Sequence, residues 1–273
     1  MRLFLQLVTV AAVALAGSLA VGAVQWNAPL TLVLGLGTAA LAVLAYRWIV
    51  RKTEDRVPVE ITKNRAALGR GLLIGVGLFA CVIGVIALFG GYDVLGWGSV
   101  GGAVALFGFS AAAAVTEELI FRGILFRIVE GRIGTWLALT LTALLFGLSH
   151  LFNAHATLWG ALAIAVEAGG MLAAAYAATR NLWVPIGLHF GWNFAEGGLF
   201  GTDVSGTNAP EGLLHGVMSG PAALSGGEFG PEASVFSVLA GVVVTIVFMG
   251  LARRRGHVVP RRGRAAATAT VLP

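Results

Sequence analysis

Long apolar runs follow one another along almost the whole chain of 273 residues. A helix needs about 20 mostly apolar residues to cross the hydrocarbon core of a bilayer. The pattern therefore predicts an all-α fold, a polytopic membrane helical bundle with about eight transmembrane helices. The predicted spans are residues 3–24, 30–50, 71–91, 97–129, 133–152, 156–179, 182–200 and 234–252.

The composition excludes an ordinary soluble domain. Hydrophobic residues make up 58% of the chain and charged residues 11%, whereas soluble domains carry about 25% charged residues. This leaves too few charged side chains to cover a water-facing surface. Cys81 is the only cysteine, so no internal disulfide can form, and its apolar neighbours predict a small buried side chain.

The positions of Lys and Arg predict how the chain is oriented, because cytoplasmic loops carry an excess of both residues. We expect a multi-pass plasma-membrane protein with both termini in the cytoplasm. The net charge is +5, but the basic residues are not gathered on one soluble face, so we do not expect a nucleic-acid-binding protein. The basic positions are then all cytoplasmic: Arg2, residues 47–70, residues 127–132, Arg180 and residues 253–264. The last of these is expected to lie against anionic lipid headgroups.

The same pattern divides the chain into four regions. Residues 1–92 hold the N-terminal transmembrane helices with a cytoplasmic loop at 51–70, and residues 93–200 form a helical core. Residues 201–233 are rich in Gly, Pro and Ser and predict an exposed external loop. Residues 234–273 hold the last transmembrane helix and a basic cytoplasmic tail. The first run could alternatively be a cleaved signal peptide.

Ionisable residues inside the spans indicate where function lies, because a charged group in lipid is unfavourable unless it is paired or lines a cavity. In the fourth run Glu118 and Arg122 lie four residues apart, on one helix face, and can form an ion pair. Glu117 points about 100° away and lacks a partner on its own helix. Either Glu118 is structural and Glu117 is free for chemistry, or both glutamates neutralise Arg122 and Arg127.

Two later runs carry polar residues at the same spacing. Phe146 and His150 share one helix face, and His189 shares a face with Asn193. A single histidine in an apolar helix is more often a packing residue, but this set is expected to face one cavity bounded by the fourth to seventh runs. Straight spans would place the histidines at different depths, so we expect tilt, a broken fourth run or a re-entrant start near Pro185.

Three ordered motifs carry a family resemblance. They are Glu-Glu-x-x-x-Arg at 117–122, Phe-x-x-x-His at 146–150 and His-x-x-x-Asn at 189–193. Their order resembles the CPBP family of intramembrane proteases, which includes CAAX proteases and Abi-type bacteriocin-processing proteins, over about residues 98–198. The resemblance implies an endopeptidase that hydrolyses a peptide bond in a membrane-associated peptide or protein substrate next to the lipid bilayer.

The resemblance also implies roles for the motif residues. Glu117 would be the general base for a water, which His150 and His189 would hold and polarise. Asn193 would donate a hydrogen bond to the oxyanion that forms on the scissile carbonyl. The residues expected to support this set are Glu118, Arg122 and Phe146.

Several alternatives stay open. Glu117, His150 and His189 could instead bind a catalytic zinc ion, with another residue such as Glu118 as the base. We favour the reaction without a metal cofactor because the sequence has no His-Glu-x-x-His helix. The chain could also be a non-catalytic immunity or scaffold protein, or a secondary transporter.

Two further acidic residues in the spans belong to none of the motifs. Glu167 could line the cavity, pair near Arg180 or simply pack in the interior, and Glu196 could support the site or be external.

Overall fold

The computed structural model describes residues 1–261. Its main helices are α1 (Arg2–Ala23), α2 (Ala28–Glu54), α3 (Arg65–Leu88), α4 (Val100–Ile133), α5 (Thr135–Phe152), α6 (Leu158–Thr179), α7 (residues 183–199) and α8 (Val235–Arg254). All of them except α7 are long and apolar enough to cross a membrane. The helix α7 is shorter but occupies the position of the seventh predicted run. The predicted polytopic helical bundle is therefore confirmed.

Polar residues cap the first turns of five of these helices, among them α3, α4 and α8. The Asn64 side chain accepts a hydrogen bond from the backbone N–H of Ala67 at the start of α3. The Ser99 hydroxyl does the same for Gly102 at the start of α4, and Ser234 caps α8. Such caps satisfy backbone N–H groups that the first helical turn leaves free.

Residues 201–233 are more ordered and more buried than the sequence predicted. Their strand β2 (Leu214–Met218) pairs antiparallel with β1 (Tyr92–Trp97), which adds a small sheet to the helical bundle. Phe229 and Glu232 are buried, and the Trp159 indole N–H donates to the carbonyl of Ala233 at 2.8 Å. The prediction of an exposed loop was wrong for these residues, because polar composition hid their packing against α6.

Three helices widen into π-helical turns instead of breaking. The π-helical segments are Leu119–Phe126 in α4, Ala165–Gly170 in α6 and Phe194–Leu199 in α7. Each lies beside one of the ionisable or amide side chains that the sequence placed inside a span. Such turns re-aim the side chains around them and are frequent at functional sites. The expected break in the fourth run is therefore a local widening of a continuous helix.

Glycines bring α3 and α7 into close contact. Gly71 and Gly75 on α3 face the backbone of α7, and Gly187 and Gly191 on α7 face the backbone of α3. A Cβ atom on Gly191 would lie 2.6 Å from the carbonyl oxygen of Leu72, closer than any real contact. Paired Gly-x-x-x-Gly motifs permit such close packing of membrane helices. The contact fixes α7, which carries two of the motif residues.

An ion-pair network joins the basic end of the bundle. Arg127 on α4 donates two hydrogen bonds to Glu54 at the end of α2, at 2.9 and 2.7 Å. Glu60, in the loop between α2 and α3, accepts from Arg56 and from the Tyr46 hydroxyl. Burial alone would raise the pKa of Glu60, but these hydrogen bonds outweigh it and lower the pKa. The basic residues here thus also hold α2 against α4.

The predictions for Cys81 and for the basic tail have different outcomes. The Cys81 side chain is exposed, so the prediction that it is buried was wrong, because this position lies on the outward face of α3. The part of the basic tail at residues 262–273 lies outside the described residues. Its contact with lipid headgroups stays a prediction, as do the cytoplasmic location of the termini and the four-region division.

The glycine contact gives the first test. In Gly75→Ala the added methyl group would collide with the backbone of α7 at Leu188, so we expect a lower unfolding temperature in detergent. Gly77→Ala is the matched control, because nothing lies within 4 Å of its Cβ position. Ala also favours a helix by about 1 kcal/mol over Gly. Equal unfolding temperatures for the two variants would contradict the close contact.

Candidate active site

The centre of the site is a buried group of three side chains from two helices. Glu118 and Arg122 of α4 are four residues apart and form an ion pair at 2.7 Å, as the sequence predicted. The same oxygen, Oε1 of Glu118, lies 3.1 Å from Nδ1 of His189 on α7. Glu118 and Arg122 are almost completely buried and His189 is 6% exposed. The carboxylate therefore fixes the position of both partners.

Arg122 extends this group to two more helices. Its Nη2 donates to the carbonyl oxygens of Ala168 and Gly169 on α6, both at 3.1 Å. Its guanidinium lies 4.5 Å from the centre of the Phe146 ring on α5, a cation–π contact. A planar guanidinium with several donors suits a position shared by so many acceptors. One side chain thus contacts α5 and α6 from α4.

Glu117 has a different environment from its neighbour. Its side chain is 31% exposed, and its Oε2 lies 3.9 Å from Nε2 of His189. That oxygen is buried and has no hydrogen-bond partner within residues 1–261. The two adjacent carboxylates therefore differ: Glu118 is ion-paired through Oε1, and Glu117 lies beside the imidazole with no donor to its Oε2.

Phe146 lies between the two motif histidines. Its ring centre is 4.9 Å from that of His150 and 5.9 Å from that of His189. His150 ends the α-helical part of α5, and its Nδ1 lies 2.8 Å from the carbonyl oxygen of Phe146. A carbonyl oxygen can only accept, so Nδ1 carries the proton and Nε2 is left to accept another hydrogen bond.

A small cavity lies between these residues and the segment 201–233. Its polar lining comprises His150, Glu167, His189, Asn193, Ser205 and Glu232. The space available to the centre of a water molecule is about 10 Å³, roughly enough for one water. The walls differ from the prediction, because α4 contributes no lining residue and the segment 201–233 contributes two. Glu117 does not line this cavity.

The geometry does not favour the zinc alternative. Within residues 1–261 no three His, Cys, Asp or Glu side chains are grouped closely enough to hold a metal ion. Glu117 and His189 are neighbours, but His150 does not join them at that spacing. The described side chains are therefore not arranged as a three-ligand zinc site, and a reaction without a metal cofactor stays a prediction.

Comparison with known proteins found a family model that matches part of the chain. Residues 99–195 match a model described as Rce1-like, "Type II CAAX prenyl endopeptidase Rce1-like". The suspected resemblance is confirmed over these residues. The match spans α4 to α6 and most of α7, and it includes all three motifs. The match to a protease family supports a hydrolase. A search of curated proteins and a search of solved structures each found no match.

Three buried glutamates around the cavity had no role predicted from the sequence. Glu167 and Glu196 are fully buried, and Glu232 is 2% exposed. Glu167 does not pair near Arg180, which binds Glu130 instead. For Glu167 and Glu196, the position of a glutamate within an apolar run was a signal in the sequence that the residue could belong to the site. Glu232 gave no such signal, because it lies in a polar segment that was taken for an exposed loop.

The buried ion pair gives the second test. Removing the cation by Arg122→Leu leaves Glu118 with an unpaired buried charge, which we expect to lower the free energy of unfolding by about 3–5 kcal/mol. The double variant Glu118→Gln/Arg122→Leu removes both charges and should recover part of that loss. Thermal unfolding in detergent measures both. A double variant less stable than Arg122→Leu would contradict the pairing.

Proposed function

We propose that the protein is an intramembrane endopeptidase that hydrolyses a peptide bond with a water activated by Glu117. One observation carries the proposal: a carboxylate without a hydrogen-bond donor lies beside an imidazole that a second carboxylate holds in place. A general base must be able to accept a proton from water, and Glu117 has a free oxygen for this.

The reaction follows from these positions. Glu117 removes a proton from a water bound between its carboxylate and His189, and the hydroxide attacks the scissile carbonyl carbon. The resulting oxyanion is stabilised by the amide of Asn193. Glu117 then returns the proton to the peptide nitrogen, the C–N bond breaks, and a carboxylic acid and an amine leave. No metal cofactor takes part in the proposed reaction.

The two histidines have separate tasks in the proposed mechanism. His189 donates from Nδ1 to Glu118, which orients the ring so that Nε2 faces Glu117. His150 has its Nδ1 occupied by the Phe146 carbonyl, so its Nε2 can accept a hydrogen bond from water or substrate. Phe146 keeps the two rings apart and in place.

The substrate we propose is a membrane-associated peptide or protein in the plasma membrane. The side chain of Glu117 is about one third exposed although it lies within a membrane-spanning helix. Glu117 is therefore accessible from outside the cavity. The family match supports the same class of substrate, since the matched family is of type II CAAX prenyl endopeptidases.

The general base gives the third test. We expect Glu117→Gln to abolish cleavage while the protein still inserts and folds, because an amide cannot take a proton from water. Asn193→Ala should lower turnover about 10²–10³-fold, the usual loss for one oxyanion donor. Mass spectrometry of membrane and secreted peptides, from cells with wild type or variant, measures both effects.

Glu228→Gln is the matched control, because that side chain is 90% exposed on the segment 201–233. It should leave the peptide pattern of the wild type unchanged. A peptide pattern that Glu117→Gln also leaves unchanged would indicate a scaffold, an immunity protein or a transporter instead.

Metal removal gives the fourth test. Because the proposed water is activated by Glu117 alone, purified protein treated with phenanthroline and passed through a desalting column should keep its full rate of peptide cleavage. A loss of activity that added zinc restores would overturn this part of the mechanism and leave the assignment as a protease intact.

A further inference from the structure

A group of three carboxyl groups adjoins the cavity and has no role in the mechanism above. Glu167 comes from α6, Glu196 from α7 and Glu232 from the segment 201–233. Glu167 and Glu232 both line the cavity, and neither oxygen of Glu196 has a hydrogen-bond partner within the described residues. None of the three forms an ion pair with a Lys, Arg or His within the described part of the chain.

Glu232 accepts two hydrogen bonds from neutral donors. Its Oε1 accepts from the Trp192 indole N–H at 3.1 Å, and its Oε2 accepts from the Ser205 hydroxyl at 2.5 Å. A negative charge on this buried carboxyl group would be unfavourable unless an opposite charge accompanied it. A bound cation would supply that charge.

Glu167 supplies the independent observation. It is fully buried and lines the cavity, and neither of its oxygens has a hydrogen-bond donor within residues 1–261. The nearest helix that carries a cation does not supply one, because Arg122 makes its hydrogen bonds to Glu118 and to the carbonyls of Ala168 and Gly169. A bound group that donates hydrogen bonds and carries a positive charge would satisfy both oxygens of Glu167.

We propose that Glu167 and Glu232 form a subsite for a cationic nitrogen group of the substrate, an ammonium or a guanidinium. The subsite adjoins His150, His189 and Asn193 in the same cavity, so the cationic group lies close to the scissile bond. This inference rests on the proposed function and adds a substrate class to it: peptides with a basic group near the cleavage site.

The subsite must open to admit such a group, because the cavity has room for about one water. Glu232 and Ser205 belong to the segment 201–233, which is not part of any of the membrane-spanning helices. Movement of that segment alone would widen the cavity, while Glu167 stays fixed on α6. The proposed entry is therefore from the end of the bundle that this segment covers.

A binding experiment tests the subsite without requiring activity. The probe is n-butylammonium, compared with n-butanol, in thermal unfolding of the full-length protein in detergent. We expect the ammonium to raise the unfolding temperature of wild type and of Glu117→Gln above the value in the alcohol. Glu167→Gln and Glu232→Gln should lose this difference, Glu167→Asp should keep part of it, and Glu228→Gln should keep all of it.

A cleavage experiment tests the substrate class. N-acetylated peptides with Lys or Arg at each position are compared with the same peptides carrying norleucine, and free N-terminal amines are tested in a separate set. We expect kcat/KM to favour the cationic peptides by about tenfold or more, the usual size of a hydrogen bond to a charged group. In Glu167→Gln and Glu232→Gln the preference should fall towards unity.

The outcomes separate the two proposals. Cleavage without preference for cationic peptides, or equal unfolding temperatures in ammonium and alcohol, would overturn the subsite and leave the protease intact. Stabilisation by ammonium in a protein that cleaves none of the peptides would overturn the proposed function. A preference restricted to free N-terminal amines would identify the terminal amine, not a side chain, as the source of the charge.

Discussion

The oxygen Oε1 of Glu118 contacts both Arg122, at 2.7 Å, and His189, at 3.1 Å. Only 11% of the residues in this protein are charged. Burying one carboxylate and one guanidinium removes both from water, and only close contact and further hydrogen bonds make this tolerable. Arg122 therefore also reaches two carbonyl oxygens of α6 and the ring of Phe146. The ion pair requires four helices to stay in one arrangement.

This arrangement separates two chemically identical residues that are adjacent in the sequence. Glu118 binds Arg122 and His189 through Oε1, and its Oε2 is buried without a hydrogen-bond partner within the described residues. Complete burial and these two contacts distinguish it from Glu117, whose side chain is partly exposed. Glu117 lies on the next face of the same helix, where it meets only the far nitrogen of the imidazole. Glu118 thus has a structural role, and Glu117 is available for the proposed chemistry. His189 contacts both carboxylates, through Nδ1 and Nε2.

Much of this could be predicted from the sequence, since it depends on local periodicity. The spans follow from apolar run length, and the Glu118–Arg122 pair follows from four-residue spacing. The contact between Glu118 and His189 was not predictable in this way, because it depends on how α4 and α7 rotate against each other. That rotation is set by facing glycines on α3 and α7 and by π-helical turns, which apolar periodicity does not reveal.

Glu232 shows a different limit. Its segment is polar and rich in turn-forming residues, so composition predicts solvent exposure. The structure instead buries it against Trp192 and Ser205. A buried position in a polar segment depends on contacts distant in the chain, and no local pattern encodes them. Cys81 is the opposite case, because an apolar neighbourhood in a membrane helix is as consistent with an outward face as with an inward one.

The most direct test of the central claim is an electron cryomicroscopy structure of Glu117→Gln with an uncleaved peptide substrate bound. The account predicts the scissile carbonyl carbon beside the side chain of residue 117, its oxygen within hydrogen-bond reach of Asn193, and His189 still bonded to Glu118. A peptide bound away from these residues, or a His189 that has left Glu118, would contradict it.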